Sequence, residues 1–359
     1  LRECCMMRGC DFLHLKFMRG EGIARIFLIA VLCLLMTLLI SCSRGRERVF
    51  RKSKILMDTI VTISVAAESE DKAEKAIESG FAEIDRLDRM LSFFSESSEL
   101  SRINRNAGVA PVSVSPETLE VMQRALYTSA KTGGAFDVTI GPESSQWDFY
   151  KKKKPDDDVI RERLSLVDYR QIQINGIKST IFLPKKGMLA DLGGIAKGYA
   201  ADRAVEEMKR RGIRAGLVAV AGDIRAFGRK PGGSGWKVGI RNPRAKGKDD
   251  EIMATMELDD MAISTSGDYE RYFIVDGERY HHILDPKTGY PARGCRSVTV
   301  VARDGVNTDS FSTGVFVLGP EKGLGVLKEM GFDGVIVDSD GGIETTPGLR
   351  NRIEFQRHS

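Results

Sequence analysis

The stretch Asp191-Leu192-Gly193-Gly194-Ile195-Ala196-Lys197-Gly198-Tyr199-Ala200-Ala201-Asp202 is the strongest local constraint on this chain. Gly187-Met188-Leu189-Ala190 forms an apolar approach that runs into a carboxylate. Two glycines then let the backbone come close to a neighbour or a ligand, and a helix begins. Ile195, Tyr199, Val205 and Met208 recur near one face of that helix. A helix start offers unpaired N–H groups and the positive end of a dipole, which suits phosphate. Lys197, in the first turn, adds a positive charge. Two readings stand at this point. The turn holds a pyrophosphate-bearing ligand, or it is an ordinary strand-to-helix turn with a solvated lysine.

Around this turn the pattern is mostly strand. Residues 55–65 are rich in Ile, Val and Thr and predict a strand. Ala73, Ala76, Ile77, Gly80, Phe81, Ile84, Leu87 and Leu91 recur at three- and four-residue steps and predict a helix over 71–91. Ser115-Pro116-Glu117 is a helix start, with serine as N-cap and proline in the first turn. Asn175-Gly176 predicts a hairpin joining 172–174 to 180–183. Further strands are expected at 217–220, 236–240, 253–258, 261–265, 271–275, 297–302 and 334–338, with Ser266-Gly267-Asp268-Tyr269 as a turn. Residues 134–142 read as a short buried strand or loop, and 151–158 as a solvated loop. Strands outnumber helices and tight turns join them. The expected fold class is therefore α+β, with largely antiparallel sheets and packed helices, not a doubly wound parallel sheet.

The N-terminus reads as an export signal. Met18 is a candidate start, Arg19 and Arg25 supply positive charge, and residues 26–40 are almost unbroken apolar sequence. The run closes in Leu39-Ile40-Ser41-Cys42, which resembles the lipobox of bacterial lipoproteins. That resemblance implies cleavage before Cys42 and lipidation of its thiol with palmitate. A plain signal peptide and an uncleaved membrane helix are the alternatives. The expected organisation is an upstream extension and signal peptide over 1–41, a lipidated tether over 42–52, and one catalytic domain over 53–359. The expected location is exported and lipid-anchored, on the periplasmic side of a bacterial membrane. Of six cysteines, five lie at or before Cys42, so the remaining Cys295 has no partner in a mature chain and is expected to be buried and inert. Fifty-four basic against 50 acidic residues leave a net charge of +4, which gives no reason to expect a nucleic-acid partner.

Two further constellations carry chemistry. Tyr280-His281-His282-Ile283-Leu284-Asp285-Pro286-Lys287-Thr288-Gly289 holds an adjacent histidine pair. On a strand the two rings face opposite sides, so one can move a proton while the other packs. Asp309 and Thr313 are four residues apart, which places both oxygens on one helical face. A carboxylate with a hydroxyl suits a hard cation such as Mg2+, or else caps a helix. No Cys/His spacing fits zinc, and neither a Walker loop nor a Gly-x-Ser-x-Gly elbow is present.

Five segments occur in order: 98–104 (Ser-Glu-Leu-Ser-Arg-Ile-Asn), 134–142 (Gly-Ala-Phe-Asp-Val-Thr-Ile-Gly-Pro), 191–199, 263–269 (Ile-Ser-Thr-Ser-Gly-Asp-Tyr) and 282–289. This ordered set resembles the ApbE family, the FAD:protein FMN transferases. The resemblance implies Mg2+-dependent transfer of FMN from FAD to a Thr or Ser hydroxyl of a partner protein, with release of AMP. It implies metal ligands at Asp309, Thr313 and the Gly194 carbonyl, with Asp309 counted as catalytic. It implies flavin-nucleotide contacts at Met57, Phe94, Ala135, Phe136, Asp137, Asp191, Lys197 and Ile283, and a base at His282. The implied partners are FAD and acceptor flavoproteins, either subunits of membrane redox complexes or exported reductases. An FAD pyrophosphatase and a non-catalytic FAD-binding lipoprotein are the competing readings.

Four departures from the family pattern stand out. Met57-Asp58-Thr59 replaces the usual Met-Gly-Thr, and Phe94 replaces a frequent tyrosine. Glu143 follows Gly141-Pro142 where leucine is common, and Ala221-Gly222-Asp223 has one glycine fewer than the usual pair.

Overall fold

The computed structural model describes residues 47–246 and 251–356. The chain divides into two units, Leu1–Glu47 and Arg48–Ser359. The signal segment and Cys42 lie outside the described residues. No helix among the described residues is long and apolar enough to cross a membrane.

Strands β1 (Arg48–Leu56) and β2 (Thr59–Ala67) form a hairpin where the sequence suggested one strand over 55–65. The stretch 42–52, read as a tether, is thus strand from Arg48 onward. The reason lies at the two-residue turn. Met57 and Asp58 both adopt left-handed backbone, with φ of 53° and 55°, the geometry that matches the twist of paired strands. Asp58 stands there in place of the glycine usual in such a turn; a short polar side chain tolerates this backbone better than most.

Helix α1 (Glu70–Leu91) follows, capped by the Ser69 side chain. Then come α2 (Glu99–Arg105), β3 (Val112–Ser113) and α3 (Pro116–Lys131). The Ser115 hydroxyl accepts from the Thr118 N–H, as the Ser-Pro-Glu signal predicts. The segment 134–142 is loop leading into a short turn of helix, α4 (Gly141–Ser144). α5 (Asp157–Leu164) takes over part of the stretch read as solvated loop. β4 (Gln173–Asn175) and β5 (Thr180–Phe182) pair as predicted around Asn175-Gly176.

The central helix α6 spans Ala196–Arg210. Then follow β6 (Gly216–Val220), β7 (Asp223–Phe227), β8 (Trp236–Arg241), β9 (Ile252–Leu258) and β10 (Ala262–Gly267). The turn read at 266–269 begins only at Asp268, because β10 keeps its pairing with the next long strand through Gly267. A separate hairpin of β11 (Tyr272–Val275) and β12 (Glu278–His281) precedes β13 (Cys295–Ala302). α7 (Gly305–Leu318), α8 (Pro320–Met330), β14 (Asp333–Asp338), β15 (Ile343–Thr345) and β16 (Ile353–Phe355) complete the chain.

The main sheet has eight strands in the order β1-β2-β6-β7-β10-β13-β14-β15, and its pairings are antiparallel. Side-chain alternation splits it into two apolar faces. Val61, Ile63, Val65, Val218 and Val220 face α1 and α6, against Ile77, Phe81, Ile84 and Ala204. Ala66, Ala226, Ile263 and Val301 face the small sheet β16-β9-β8, against Trp236, Val238, Ile240 and Met256. Val298 and Val300 pack on Phe311, Val315 and Phe316 of α7. The fold is α+β with antiparallel sheets, as the sequence pattern implies. Cys295 is buried as expected, and burial pushes its thiol up to about 12, which disfavours the reactive thiolate.

A fourth cluster of Trp147, Ile160, Phe273 and Leu284, with Tyr280 and Tyr290 around it, supports the β11–β12 hairpin. Trp147 Nε1 donates to the Gly289 carbonyl at 3.2 Å. Glu143 is fully buried beside it: a Cβ on Gly289 would lie 3.0 Å from Glu143 Oε2. Neither of its oxygens has a hydrogen-bond partner among the described residues. Burial pushes this carboxyl up to about 7, and the charge of Arg163 offsets only part of that. A carboxyl raised in the fold favours the native state below its unfolded value near 4.5 and loses that advantage as pH climbs through 7. Glu143→Leu is therefore expected to raise stability by on the order of 1 kcal/mol at pH 8. Thermal melts of both proteins at pH 5 and pH 8 check this; the gain should be smaller at pH 5.

Candidate active site

The site forms where α6 begins. A parallel bridge between Ile140 and Leu189 sets the apolar approach against the loop 135–140. The Asp191 N–H donates to the Val138 carbonyl at 2.7 Å. The Asp191 carboxylate then shapes the glycine turn, accepting from the Gly193 N–H at 2.8 Å and from the Ser144 hydroxyl at 2.9 Å. Gly194 is wedged between two elements. A Cβ there would lie 3.1 Å from the Phe136 ring and 3.3 Å from Thr313 Oγ1.

α6 and α7 cross at two glycines. A Cβ on Gly198 would lie 2.0 Å from the Gly305 carbonyl oxygen, and one on Gly305 would lie 2.5 Å from that of Gly198. At this separation each helix lends a carboxylate to the backbone of the other. Asp309 Oδ2 accepts the Gly198 N–H at 2.9 Å. Asp202 accepts the Gly305 and Val306 N–H groups at 2.8 and 2.9 Å. It thereby caps α7, whose own N-cap residue, Asp304, makes no side-chain cap bond. Burial pushes the Asp202 carboxyl up to about 6 despite those two bonds and the Arg225 guanidinium at 3.4 Å.

Lys197 Nζ lies 2.8 Å from Asp223 Oδ2 and 3.6 Å from Asp309 Oδ1. Burial opposes the ammonium, but the two carboxylates outweigh it and hold Lys197 above its usual value. Burial, and then the facing Asp223, push Asp309 up. Two parts of the sequence reading change here. Lys197 is partly exposed but not free, being ion-paired with Asp223. The helix-start N–H of Gly198, expected to face phosphate, already holds a carboxylate of the protein itself. Asp223 was not among the site residues read from sequence. Its signal was present, a carboxylate directly after the Ala221-Gly222 turn. Ala221 holds a left-handed φ of 53° there, at the turn that lacks the second glycine.

Thr313 and Asp309 share one face of α7, as their spacing predicts. Ser266 on β10 adds a shelf of hydroxyls, 2.8 Å from Ser312 Oγ and 3.2 Å from Thr313 Oγ1. The histidines divide as expected. His281 is buried and spent: Nε2 lies 2.8 Å from the Ala292 carbonyl, and Nδ1 accepts the Ile283 N–H at 3.3 Å. His282 N–H donates to the Arg271 carbonyl at 3.1 Å, while its buried Nδ1 has no partner among the described residues. Burial, then the Arg271 charge, lower its pKa to about 3, so the ring is neutral at pH 7.

The remaining sequence-derived residues are spread around this centre. Ala135 and Phe136 are buried, and Phe136 touches the space beside Gly194. Asp137 is committed to its own loop, accepting from the Thr139 N–H and hydroxyl at 2.8 and 2.6 Å and from the Tyr169 N–H at 3.0 Å. Ile283 is buried in the cluster under α7. Met57 sits in the β1–β2 turn and donates its N–H to Asp88 Oδ2 at 2.9 Å. Phe94 is 79% exposed and meets Phe93 edge-on. These two rings line a cavity of about 590 Å³ with Ser101, Asn104 and Leu189. Asn104 exchanges two hydrogen bonds with the Ala190 backbone, at 2.9 and 2.7 Å, so the cavity wall continues into the glycine turn.

The donor set fits a hard cation. Among the described residues no cluster of three or more His, Cys, Asp or Glu side chains is placed to hold a metal ion. Asp309, the Thr313 hydroxyl and the Gly194 backbone are oxygen donors, and Mg2+ is held by few protein ligands and keeps waters or phosphate oxygens. Buried carboxylates, a paired lysine and a histidine with an open ring nitrogen, gathered beside a glycine turn, define a class, an enzyme site.

The sequence matches the ApbE family over residues 57–336. The chain belongs to that family. A relative from Treponema pallidum named FAD:protein FMN transferase is 33% identical over 332 residues, covering 87% of this chain and 91% of the relative. One of the same name from Vibrio cholerae is 33% identical over 313 residues, covering 85% and 91%. The crystal structure of the ApbE protein of Thermotoga maritima superposes with a TM-score of 0.79 at 34% identity, covering 87% of this chain and all of that one. The flavinyl transferase ApbE of Pseudomonas stutzeri, in its apo form, gives 0.74 at 30% identity, covering 84% and 96%.

The α6–α7 crossing leaves no room for a methyl group at Gly198. Gly198→Ala is expected to cost about 1–3 kcal/mol, because both neighbours of the new Cβ are backbone or buried side chain. Urea unfolding of the two proteins measures it.

Proposed function

We propose that this chain transfers FMN from FAD to a Thr or Ser hydroxyl of a partner protein, in a Mg2+-dependent reaction that forms a phosphoester bond and releases AMP. It is a flavin transferase, as its curated relatives are by name. The observation that carries the finer reading is the juxtaposition of Asp309, Thr313 and Gly194 beside the Lys197–Asp223 pair, at a glycine turn whose approach residue Leu189 lines the cavity of about 590 Å³.

In this reading Asp309, Thr313 and the Gly194 carbonyl hold Mg2+, which when bound offsets charge on the pyrophosphate. Met57, Phe94, Ala135, Phe136, Asp137, Asp191, Lys197 and Ile283 surround the flavin nucleotide. Phe94 offers a ring for stacking, and Asp191 and Asp137 act mainly by fixing the loops that approach the ligand. His282 is neutral with an open ring nitrogen, the state a base needs before it accepts a proton. The acceptor hydroxyl gives its proton to His282 and its oxygen bonds to the FMN phosphorus. The bond from that phosphorus to the bridging oxygen breaks, and the oxygen leaves with AMP.

The acceptors we infer are flavin-carrying subunits of membrane redox complexes or exported reductases. Leu39-Ile40-Ser41-Cys42 supports export and a lipid anchor on the periplasmic side.

The full chain in detergent, mixed with FAD, Mg2+ and an acceptor domain carrying a Ser/Thr-Gly-Ala-Thr segment, tests the reaction. Denaturation-resistant flavin fluorescence on the acceptor and stoichiometric AMP are expected, and Asp309→Ala should lose both. His282→Ala should lower kcat by about 10²- to 10⁴-fold. AMP with free FMN and an unlabelled acceptor would replace the transferase by a pyrophosphatase. For the anchor, Cys42→Ser in cells given labelled palmitate should abolish label on this protein and move it from the membrane to the soluble fraction; retained label would rule out Cys42 as the acylated residue.

A further inference from the structure

The arginines around the β11–β12 hairpin are almost all spoken for. Arg244 makes a two-pronged bond to Asp268, at 2.7 and 2.5 Å. Arg279 lies 3.9 Å from the same carboxylate and stacks over the Tyr272 ring. Arg241 stacks over Tyr269 and reaches Glu270 at 3.9 Å. Arg293 pairs with Glu278. Arg271 is the exception. It is exposed and, among the described residues, has no carboxylate within ion-pair distance.

Its position is fixed by the ladder. Tyr272 pairs with His281, so Arg271 falls opposite His282 one step further out, and the Arg271 carbonyl takes the His282 N–H at 3.1 Å. Directly opposed residues on an antiparallel pair hold their Cβ atoms about 4.5–5.5 Å apart on the same face. The Phe273–Tyr280 pair, two residues along that face, shows the contact directly, with stacked rings 5.4 Å apart. The guanidinium is also near enough to oppose positive charge on both His282 and Lys197. Two cations, Arg271 and Lys197, therefore converge beside the neutral ring of His282, and of the two only Lys197 has carboxylates of its own. Such an arrangement is incomplete without an anion.

We propose that Arg271 is a further catalytic residue, whose guanidinium binds the pyrophosphate oxygens of the dinucleotide from the hairpin side. The proposal rests on the transferase reading for its substrate. It gives the developing phosphate charge a donor fork next to the base that takes the acceptor proton. The proposed pieces then share the work: the turn and α7 approach through Gly194, Asp309 and Thr313, and the hairpin approaches through Arg271 and His282.

Arg271→Ala and Arg271→Lys in the full-length protein test it. Binding of FAD with Mg2+ is followed by flavin fluorescence, with riboflavin, which has no phosphate, as the control ligand. Arg271→Ala should weaken FAD by about ten- to a hundred-fold and leave riboflavin unchanged, with Arg271→Lys intermediate. Equal FAD affinity in Arg271→Ala and the wild type overturns the proposal. So does an equal loss for riboflavin, which would mean a damaged flavin pocket. In the transfer assay Arg271→Ala should also lower kcat. A wild type that binds FAD but labels no acceptor counts against the transferase reading alone, since the binding comparison still decides Arg271. A wild type that binds no FAD overturns both.

Discussion

The crossing of α6 and α7 at Gly198 and Gly305 is the contact on which the site depends. Two helices meet closely enough that a single methyl group would collide with backbone. That proximity converts two buried carboxylates from liabilities into struts. Asp309 caps an N–H of α6 and Asp202 caps two of α7, so each helix end is neutralised by the other helix. A buried carboxylate without such partners is costly. Here the cost is offset by backbone groups that would otherwise be unpaired themselves. The result fixes the rotation of α7, and with it the direction of Asp309 and Thr313, before any ligand arrives.

Lys197 extends this logic. It stands as an internal counter-ion for Asp223 and Asp309, which keeps the acidic centre tolerable in the ligand-free protein. Under the proposed mechanism a divalent cation at Asp309 would compete with the ammonium already there, and Lys197 would then be free to meet phosphate.

Much of the fold was legible because its signals are periodic. The α1 face, the Ser115 cap, the Asn175-Gly176 hairpin and the Asp309/Thr313 spacing all depend on residues close in sequence, and all are present in the structure. The errors have a common cause. The β1–β2 turn carries no glycine, so residues 55–65 looked continuous; a methionine and an aspartate adopt the left-handed backbone instead. Asp223 and Arg271 were passed over because their meaning comes from partners far along the chain, Lys197 in one case and His282 in the other. The ion pairing of Lys197 was hidden for the same reason, since Asp223 is 26 positions away by number. Glu143 was noticed only as an odd residue, and its burial without a partner is visible solely in three dimensions.

The two-stranded hairpin has one more consequence. His282 and Arg271 face each other across one rung at the end of the hairpin, joined by a backbone hydrogen bond and backed by the Phe273–Tyr280–Trp147 stack. Any tilt of that hairpin carries both side chains along the same arc. Under the proposed mechanism the proton acceptor and the positive fork therefore behave as one jaw. Their mutual spacing is a property of strand pairing, while their distance from the helices is set separately by the aromatic stack beneath. A substitution in that stack, far from any reacting atom, would change how closely the jaw shuts without altering the set of its teeth.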